Sequence, residues 1–348
     1  MKKLLLLLTA LVVIGAISAG IAAYVLAGRA REPFRGYETP DVIVEVPRGA
    51  GTQTIGTRLI EAGVVRDPLT FRVALWLSGH DRRLQAGEYQ FSEPMSAVDV
   101  VGKIARGDVL LIPLTFREGL TIREMADVFG ASEFGTAEEF MAAARDASLV
   151  ASIDPEAGDL EGYLFPDTYA LPRHADAPLV VSQMVGRFMQ VLTPEVRAGA
   201  DAQKLSIRQL VTLASLVEKE TAVPAELPVV AGVYANRLRI GMLLQCDPTV
   251  IYALLLAGRY DGNIRRDDLS IDSPYNTYRY AGLPPGPIAA PGQRALEAAA
   301  RPADVEYLYF VSRNDGSHEF ARSLSEHNRN VQRYQVEFFR ARRAREGG

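Results

Sequence analysis

Glu218 is the residue best placed to do chemistry in this chain. It stands in Leu213-Ala-Ser-Leu-Val-Glu-Lys-Glu-Thr221, inside a stretch that otherwise reads as a buried helix. Ser206 followed by Gln209 is a capping-box start. From there Ile207, Leu210, Val211, Ala214 and Val217 recur at helical spacing. At about 100° per residue, Glu218 falls near the centre of that apolar stripe. A carboxyl there loses water, and desolvation raises its pKa. A carboxylic acid kept protonated near neutral pH is what a general acid requires. The alternative is an ordinary carboxylate in an ion pair with Lys219 or an arginine, because structural pairs also perturb pKa. Glu220 lies about 200° further round, off the Glu218 face. It is a candidate for a supporting ion pair.

Other segments are dense in polar and aromatic side chains. Glu161-Gly162 precedes Phe165-Pro-Asp-Thr-Tyr169. Gln245-Cys246-Asp247-Pro248 enters a helix, with Asp247 as its expected N-cap and Pro248 at the first helical position. Ser273-Pro-Tyr-Asn-Thr-Tyr278 runs into Gly282-Leu-Pro-Pro-Gly-Pro-Ile288, a stiff loop that forms neither sheet nor helix. That loop would fix Tyr275, Tyr278 and Tyr280, which either stack on sugar faces or fill core. His318 follows a strand and turn, as a reactive imidazole or as a satisfied hydrogen bonder.

These residues need elements to hold them, and the chain is long enough for one large domain or two smaller ones at 348 residues. A strand over residues 42–46, a short helix around 55–60, a helix over 68–77, a strand over 86–91 and a helix over 98–105 make a small α+β unit. Beyond Pro113 the pattern is mixed. Helices are expected over 137–147, 177–192, 206–221, 228–240, 248–258 and 323–343, with a buried strand over 306–311. Leu114-Thr-Phe-Arg-Glu-Gly119 followed by Thr121-Ile-Arg-Glu-Met-Ala126 echoes the strand, turn and helix start of residues 44–59, a shared supersecondary habit and not a repeat. The basic tail of the last helix (Arg340, Arg342, Arg343, Arg345) reads as a solvated end.

Composition narrows the partners. The net charge of −4 argues against nucleic acid. The lone Cys246 allows no intrachain disulfide. The four histidines show no paired ligand spacing, so no metal site is expected. Lys2 and Lys3 precede an uncharged, mostly apolar run over residues 4–28, long enough to cross a bilayer as a helix. Ala19-Gly20-Ile21-Ala22 imitates a cleavage site, which keeps a signal peptide as the alternative. Without a nearby cysteine, a lipoprotein anchor is excluded. Flanking charge is balanced, with Arg29, Arg31 and Arg35 on the far side. A long following domain translocates largely regardless of such charge, so everything after residue 28 is expected outside the plasma membrane.

The order of several pieces is more specific than any one of them: Glu161-Gly-Tyr-Leu-Phe-Pro-Asp-Thr-Tyr169, the Glu218 motif, Val233-Tyr-Ala-Asn-Arg-Leu238, Gln245-Cys-Asp-Pro-Thr-Val-Ile-Tyr252, Tyr275-Asn-Thr-Tyr278, Gly282-Leu-Pro-Pro-Gly-Pro-Ile288 and His318-Glu-Phe-Ala321. Together they resemble the endolytic murein transglycosylase family, the YceG-like proteins. The strand-helix-helix-strand unit resembles a LysM-like carbohydrate-binding module. The resemblance implies an α+β protein with a cytoplasmic tail and transmembrane helix (1–28), a linker (29–40), a LysM-like subdomain (41–111) and a catalytic domain (112–348). It implies cleavage of the β-1,4 bond between N-acetylmuramic acid and N-acetylglucosamine inside glycan strands, giving 1,6-anhydro ends. Glu218 would be the acid, with no cofactor. Glu161, Gln245, Asn276, Tyr278 and His318 would bind substrate, and Glu220 would support. Peptidoglycan synthases or divisome proteins are candidate partners. One departure is Cys246, where the resemblance leads to an expected serine, one small side chain for another. Two rivals share the location: a hydrolytic muramidase using a second carboxylate such as Glu161 or Asp167, and a non-catalytic peptidoglycan-binding scaffold.

Overall fold

The computed structural model describes residues 2–80, 83–340 and 343. The chain divides into two compact units, residues 1–112 with 170–174, and residues 113–169 with 175–348.

The first unit opens with helix α1 (Lys2–Arg31). Its stretch Leu6–Arg31 is long and apolar enough to cross a membrane. The helix does not stop at Gly28. Residues 29–31, expected in a linker, form its last turn because Ala30 is fully buried and Arg29 pairs with Asp67 at 2.9 Å. Strand β1 (Val42–Val46), helices α2 (Thr52–Glu61) and α3 (Pro68–Ser78), strand β2 (Gly87–Phe91) and helix α4 (Ala97–Arg106) follow in the expected order. β1 and β2 pair antiparallel, from Val42 opposite Phe91 to Val46 opposite Gly87. The period of two puts Val44, Val46, Tyr89 and Phe91 on one face. That face packs on Ile55, Leu59, Phe71, Val100 and Ile104.

The chain leaves this unit within strand β3 (Leu111–Thr115). The second unit then holds α5 (Ile122–Gly130), α6 (Ala137–Ala143), the first two residues of β4 (Thr168–Pro172), α7 (Ala177–Val191), α8 (Pro194–Ala202), α9 (Ile207–Glu220), α10 (Leu227–Arg239), α11 (Asp247–Leu256), α12 (Gln293–Ala300), β5 (Tyr309–Ser312), β6 (His318–Ala321) and α13 (Leu324–Val331). Only two-stranded sheets form among the described residues, β1 with β2, β3 with β4, and β5 with β6. Helices therefore carry the core of this unit.

At its centre lies α9. Every residue from Leu210 to Val217 is buried, and the helix packs against α8, α10, α11 and α12. The expected capping box is present, Ser206 accepting from the Gln209 N–H and Gln209 from the Ser206 N–H. Such a cap contributes about 1 kcal/mol. Thr212 and Ser215 are buried too, and their hydroxyls bond back to the Arg208 and Thr212 carbonyls, each at 2.7 Å.

Some elements depart from the sequence pattern. α6 ends at Ala143, with a 3₁₀ turn over Ala147–Val150. α8, opened by Thr193 and Pro194, was not expected. The strand expected over 306–311 begins only at Tyr309 and is half-buried. The preceding carbonyls are taken by side chains of α10: Asn236 Nδ2 donates to Val305 O and Arg237 Nε to Leu308 O, both at 2.6 Å. Beyond α13 the chain continues through a π-helical turn, Gln332–Glu337. Arg340 and Arg343 are exposed, and Arg342 and Arg345 lie outside the described residues.

Candidate functional site

Glu218 projects from the last turn of α9 and is half-buried. Its position depends on a segment far along the chain. Ile288 N–H donates to Ser215 Oγ at 3.1 Å, which seats the end of the Pro/Gly loop on α9. Ala290 N–H donates to Leu120 O and Gly119 N–H to Ala290 O, both at 2.8 Å, so the 117–120 turn is stitched to the same segment. Lys219 Nζ donates to Gly119 O at 3.0 Å. The segment ends at Gly292, the N-cap of α12, whose N–H donates to Glu218 Oε2 at 3.0 Å. α12 has no side-chain cap of its own, and the Glu218 carboxyl lies at its positive end.

A second carboxylate meets it there. An added Cβ at Gly292 would overlap the Glu118 carboxylate, so Gly292 has no side chain because Glu118 fills that space. Burial pushes the Glu218 pKa above the usual carboxylate range. The Glu118 charge pushes the same way, while the Gly292 N–H and Lys219 oppose. Among the described residues Glu218 forms no ion pair, and Lys219 turns to the Gly119 carbonyl.

Glu218 opens on a cavity of about 520 Å³. Its wall comes from Thr115, Phe116, Arg117, Glu118, Asp167, Thr168, Thr221, Ala222, Pro224, Leu227 and Arg294. Asp167 is paired with Arg187 at 2.9 Å. Glu118 and Arg294 were missed by sequence reading. A local signal existed for Glu118 alone, the Glu-Gly pair opening a turn before a capped helix.

The other expected site residues lie elsewhere. Glu161 is buried and lines a different cavity with Thr121, Glu124 and Tyr252. It accepts from the Ile122 N–H at 3.1 Å and from Tyr252 Oη at 3.2 Å, anchoring the start of α5. Burial raises its pKa to about 8. Asn276 is fully buried, and its amide is spent on its own loop: Nδ2 donates to Leu269 O and Ile271 O, and Oδ1 accepts from Tyr278 N–H. Tyr278 Oη donates to Asp247, which is the first residue of α11 and not its N-cap. Cys246 occupies the cap position because its N–H is held by Thr277 Oγ1 at 3.0 Å. His318 is bound twice by Glu226, at Nδ1 (2.7 Å) and at its backbone N–H (2.8 Å). Glu220 does turn away from Glu218, but into a buried pocket where it accepts from Tyr234 Oη at 2.8 Å and bonds the Cys246 thiol. No ion pair to Glu220 forms among the described residues, and burial raises its pKa. Gln245 alone is exposed, with a left-handed backbone at φ 49°. A non-glycine residue in that region is uncommon and strained. Among the described residues no group of three or more His, Cys, Asp or Glu could hold a metal.

A helix-borne carboxylic acid at the edge of a cleft is a candidate general acid–base site. The YceG-like family profile matches residues 44–333, and the chain belongs to that family. A Bacillus subtilis (strain 168) protein named endolytic murein transglycosylase is 30% identical over 323 residues, covering 87% of each chain. A Streptococcus pneumoniae serotype 2 protein of the same name is 31% identical over 322 residues, covering 83% of this chain and 58% of its own length. A crystal structure of a YceG-like protein from Listeria monocytogenes is similar with a TM-score of 0.57 at 31% identity, covering 83% of this chain and 98% of that one.

Proposed function

We propose that this protein is a membrane-anchored, endolytic peptidoglycan lytic transglycosylase with Glu218 as its general acid and then its general base. The observation that carries the reading is the Glu218 carboxyl itself: half-buried, held at Oε2 by the Gly292 N–H, and facing a cavity large enough for sugar rings. The curated relatives' shared name supports the same activity.

In the first step Glu218 Oε1 gives its proton to the glycosidic oxygen, and the bond from that oxygen to muramic acid C1 breaks. The resulting carboxylate is stabilised by the Gly292 N–H and the α12 N-terminus. In the second step the muramic acid C6 hydroxyl attacks C1, and its proton returns to Glu218. The products are a 1,6-anhydro end and a free 4-hydroxyl, and no water is consumed. One carboxyl suffices where ordinary glycosidases use two.

The rest of the reading follows from this placement. α1 is the single-pass anchor, with the following residues on the extracytoplasmic side, where nascent strands are trimmed or terminated. The strand-helix-helix-strand unit is a LysM-like glycan-binding module, and residues 112–348 form the catalytic domain. Gln245, exposed and strained, is the expected residue that keeps a sugar-contacting role. Glu161, Asn276, Tyr278, His318 and Glu220 hold the loops and helices around it.

The test uses the full-length protein in detergent with intact sacculi, wild type against Glu218→Gln, and mass spectrometry of the fragments. Internal 1,6-anhydro ends are expected with wild type only. A substitution that leaves the ends unchanged would remove Glu218 from the mechanism. One observation keeps hydrolysis as a second reading: the Glu118 and Asp167 carboxylates line the same cavity and could activate water. Reducing muramic ends would establish it. Pelleting with sacculi without new ends would point to the scaffold.

A further inference from the structure

Pro224, Leu227 and Arg294 line the Glu218 cavity and also a second cleft of about 590 Å³. The floor of this second cleft is apolar, with Val196, Ala298 and Leu227 all buried. Its edge carries both signs of charge, Arg294 and Arg301 against Glu195 and Glu297. The acids are already engaged. Glu297 accepts from Gln293 Nε2 at 2.7 Å, and hydrogen bonds from its own N–H and Thr193 hold the Glu195 carboxyl below the usual range. Arg294 is different. It stands exposed in the first turn of α12, without a hydrogen bond or ion pair among the described residues, at the edge shared by the two clefts.

We propose that the second cleft is a subsite for the short peptide carried by muramic acid, with Arg294 and Arg301 receiving its carboxylates. This rests on the transglycosylase reading, which puts muramic acid C1 beside Glu218. The peptide is joined through the lactyl group on the same sugar ring, so it leaves the ring close to the reacting carbon. Its chemistry matches the cleft part by part. Alanine methyls meet the apolar floor, and free carboxylates meet guanidinium groups, which bind them in a bidentate fork. Arg294, lining both clefts, would read the lactyl-proximal end. Arg301, lining only the second, would read the peptide beyond it.

The test compares cleavage by the full-length protein on glycan strands that carry peptides and on the same strands stripped by an amidase. Wild type is expected to favour peptide-bearing strands in kcat/KM roughly three- to tenfold, through KM, the scale of one or two partly exposed charged contacts. Arg301→Gln should shrink that ratio, Arg294→Gln with Arg301→Gln should abolish it, and Arg301→Lys should keep most of it. Stripped strands retain the lactyl carboxylate, which is why Arg301 is the discriminating position. In parallel, calorimetry on wild type measures the free soluble peptide as its acid and as its carboxamide, and the acid should bind more tightly. Equal ratios in wild type and the double variant, with no difference between acid and amide, overturn the subsite and leave the transglycosylase reading standing. Failure of wild type to cleave either strand overturns that reading instead. The calorimetry then decides the cleft by itself: selective binding of the acid upholds it, and no selective binding overturns it.

Discussion

Burial alone would make Glu218 a weak acid, but Glu118 makes its protonation a matter of charge as well. The two carboxyls meet at Gly292, and among the described residues neither forms an ion pair there. The charged groups lining their cavity are Arg117, Asp167 and Arg294, with Asp167 committed to Arg187 and Lys219 to the Gly119 carbonyl. A general acid works while it is protonated, so activity is lost as pH rises through its pKa. Removing the Glu118 charge lowers that pKa. The basic limb of the kcat/KM profile should therefore move to lower pH in Glu118→Gln, a shift that mere loosening of the fold would not produce. Glu218→Gln should lose activity on the order of 10²- to 10⁴-fold with an unchanged melting temperature. Glu161 predicts an effect on stability. Its folded pKa of about 8 lies above the ordinary carboxylate value of 4.5, so folding favours its protonated form. That contribution is complete below pH 4.5 and fades as pH rises toward 8. Glu161→Gln should flatten the denaturant-derived stability across that window, and an unchanged slope would mean that Glu161 does not set it. Helical spacing was enough to mark Glu218, because its place on the apolar stripe is set by its own helix. It could not reveal Glu118 or Arg294, which line the Glu218 cavity from segments distant in the chain. Nor could it show that the Asn276 amide is consumed by its own loop.

Between single residues and the fold, the segment from Ile288 to Gly292 positions the site. It lies between α9 and the 117–120 turn and delivers a backbone N–H to the acid. The sequence marked the Gly282–Ile288 stretch as stiff, because its prolines exclude regular structure. What it is pressed against was not legible, since hydroxyl-to-backbone bonds have no periodic signature. Ser215 is the main tie. Ser215→Ala leaves the buried Ile288 N–H unpaired, at a cost of about 1–3 kcal/mol, and should lower activity as Gly292 loosens. Gly162 supports the loop from the other side. Its φ is +81°, and an added Cβ would lie 2.6 Å from Pro287 Cγ and 2.9 Å from Val211 Cγ1. Gly162→Ala should cost about 2–4 kcal/mol, because strained backbone and overpacking coincide there. Thermal melting of the two variants checks both. A Gly162→Ala protein as stable as wild type would mean that the loop moves aside freely.

For the whole molecule, the apolar helix does more than its composition suggests. Apolarity and length mark α1 as able to span a membrane, and the charges, prolines and glycine of residues 29–40 read as a short linker. The pattern could not show that the last turn belongs to the first unit's core. Ala30 is fully buried there, and Arg29 reaches Asp67, whose carboxylate also caps α3 through the Thr70 N–H. The apolar helix and the folded unit thus share one continuous helix end. Two truncations separate these roles. Starting the chain at Arg29 removes the membrane span and keeps the buried turn, so the protein should leave the membrane fraction with nearly full stability. Starting it at Pro33 also deletes Ala30 and the Arg29 partner of Asp67. The core then loses a packed methyl and a helix turn, at a cost of about 1–3 kcal/mol. Denaturant melts of the two proteins should differ by that amount, with the loss confined to the transition of the first unit. Equal stability would make residues 29–32 a linker in energetic terms. A shared loss would place the cost outside the Ala30 contact.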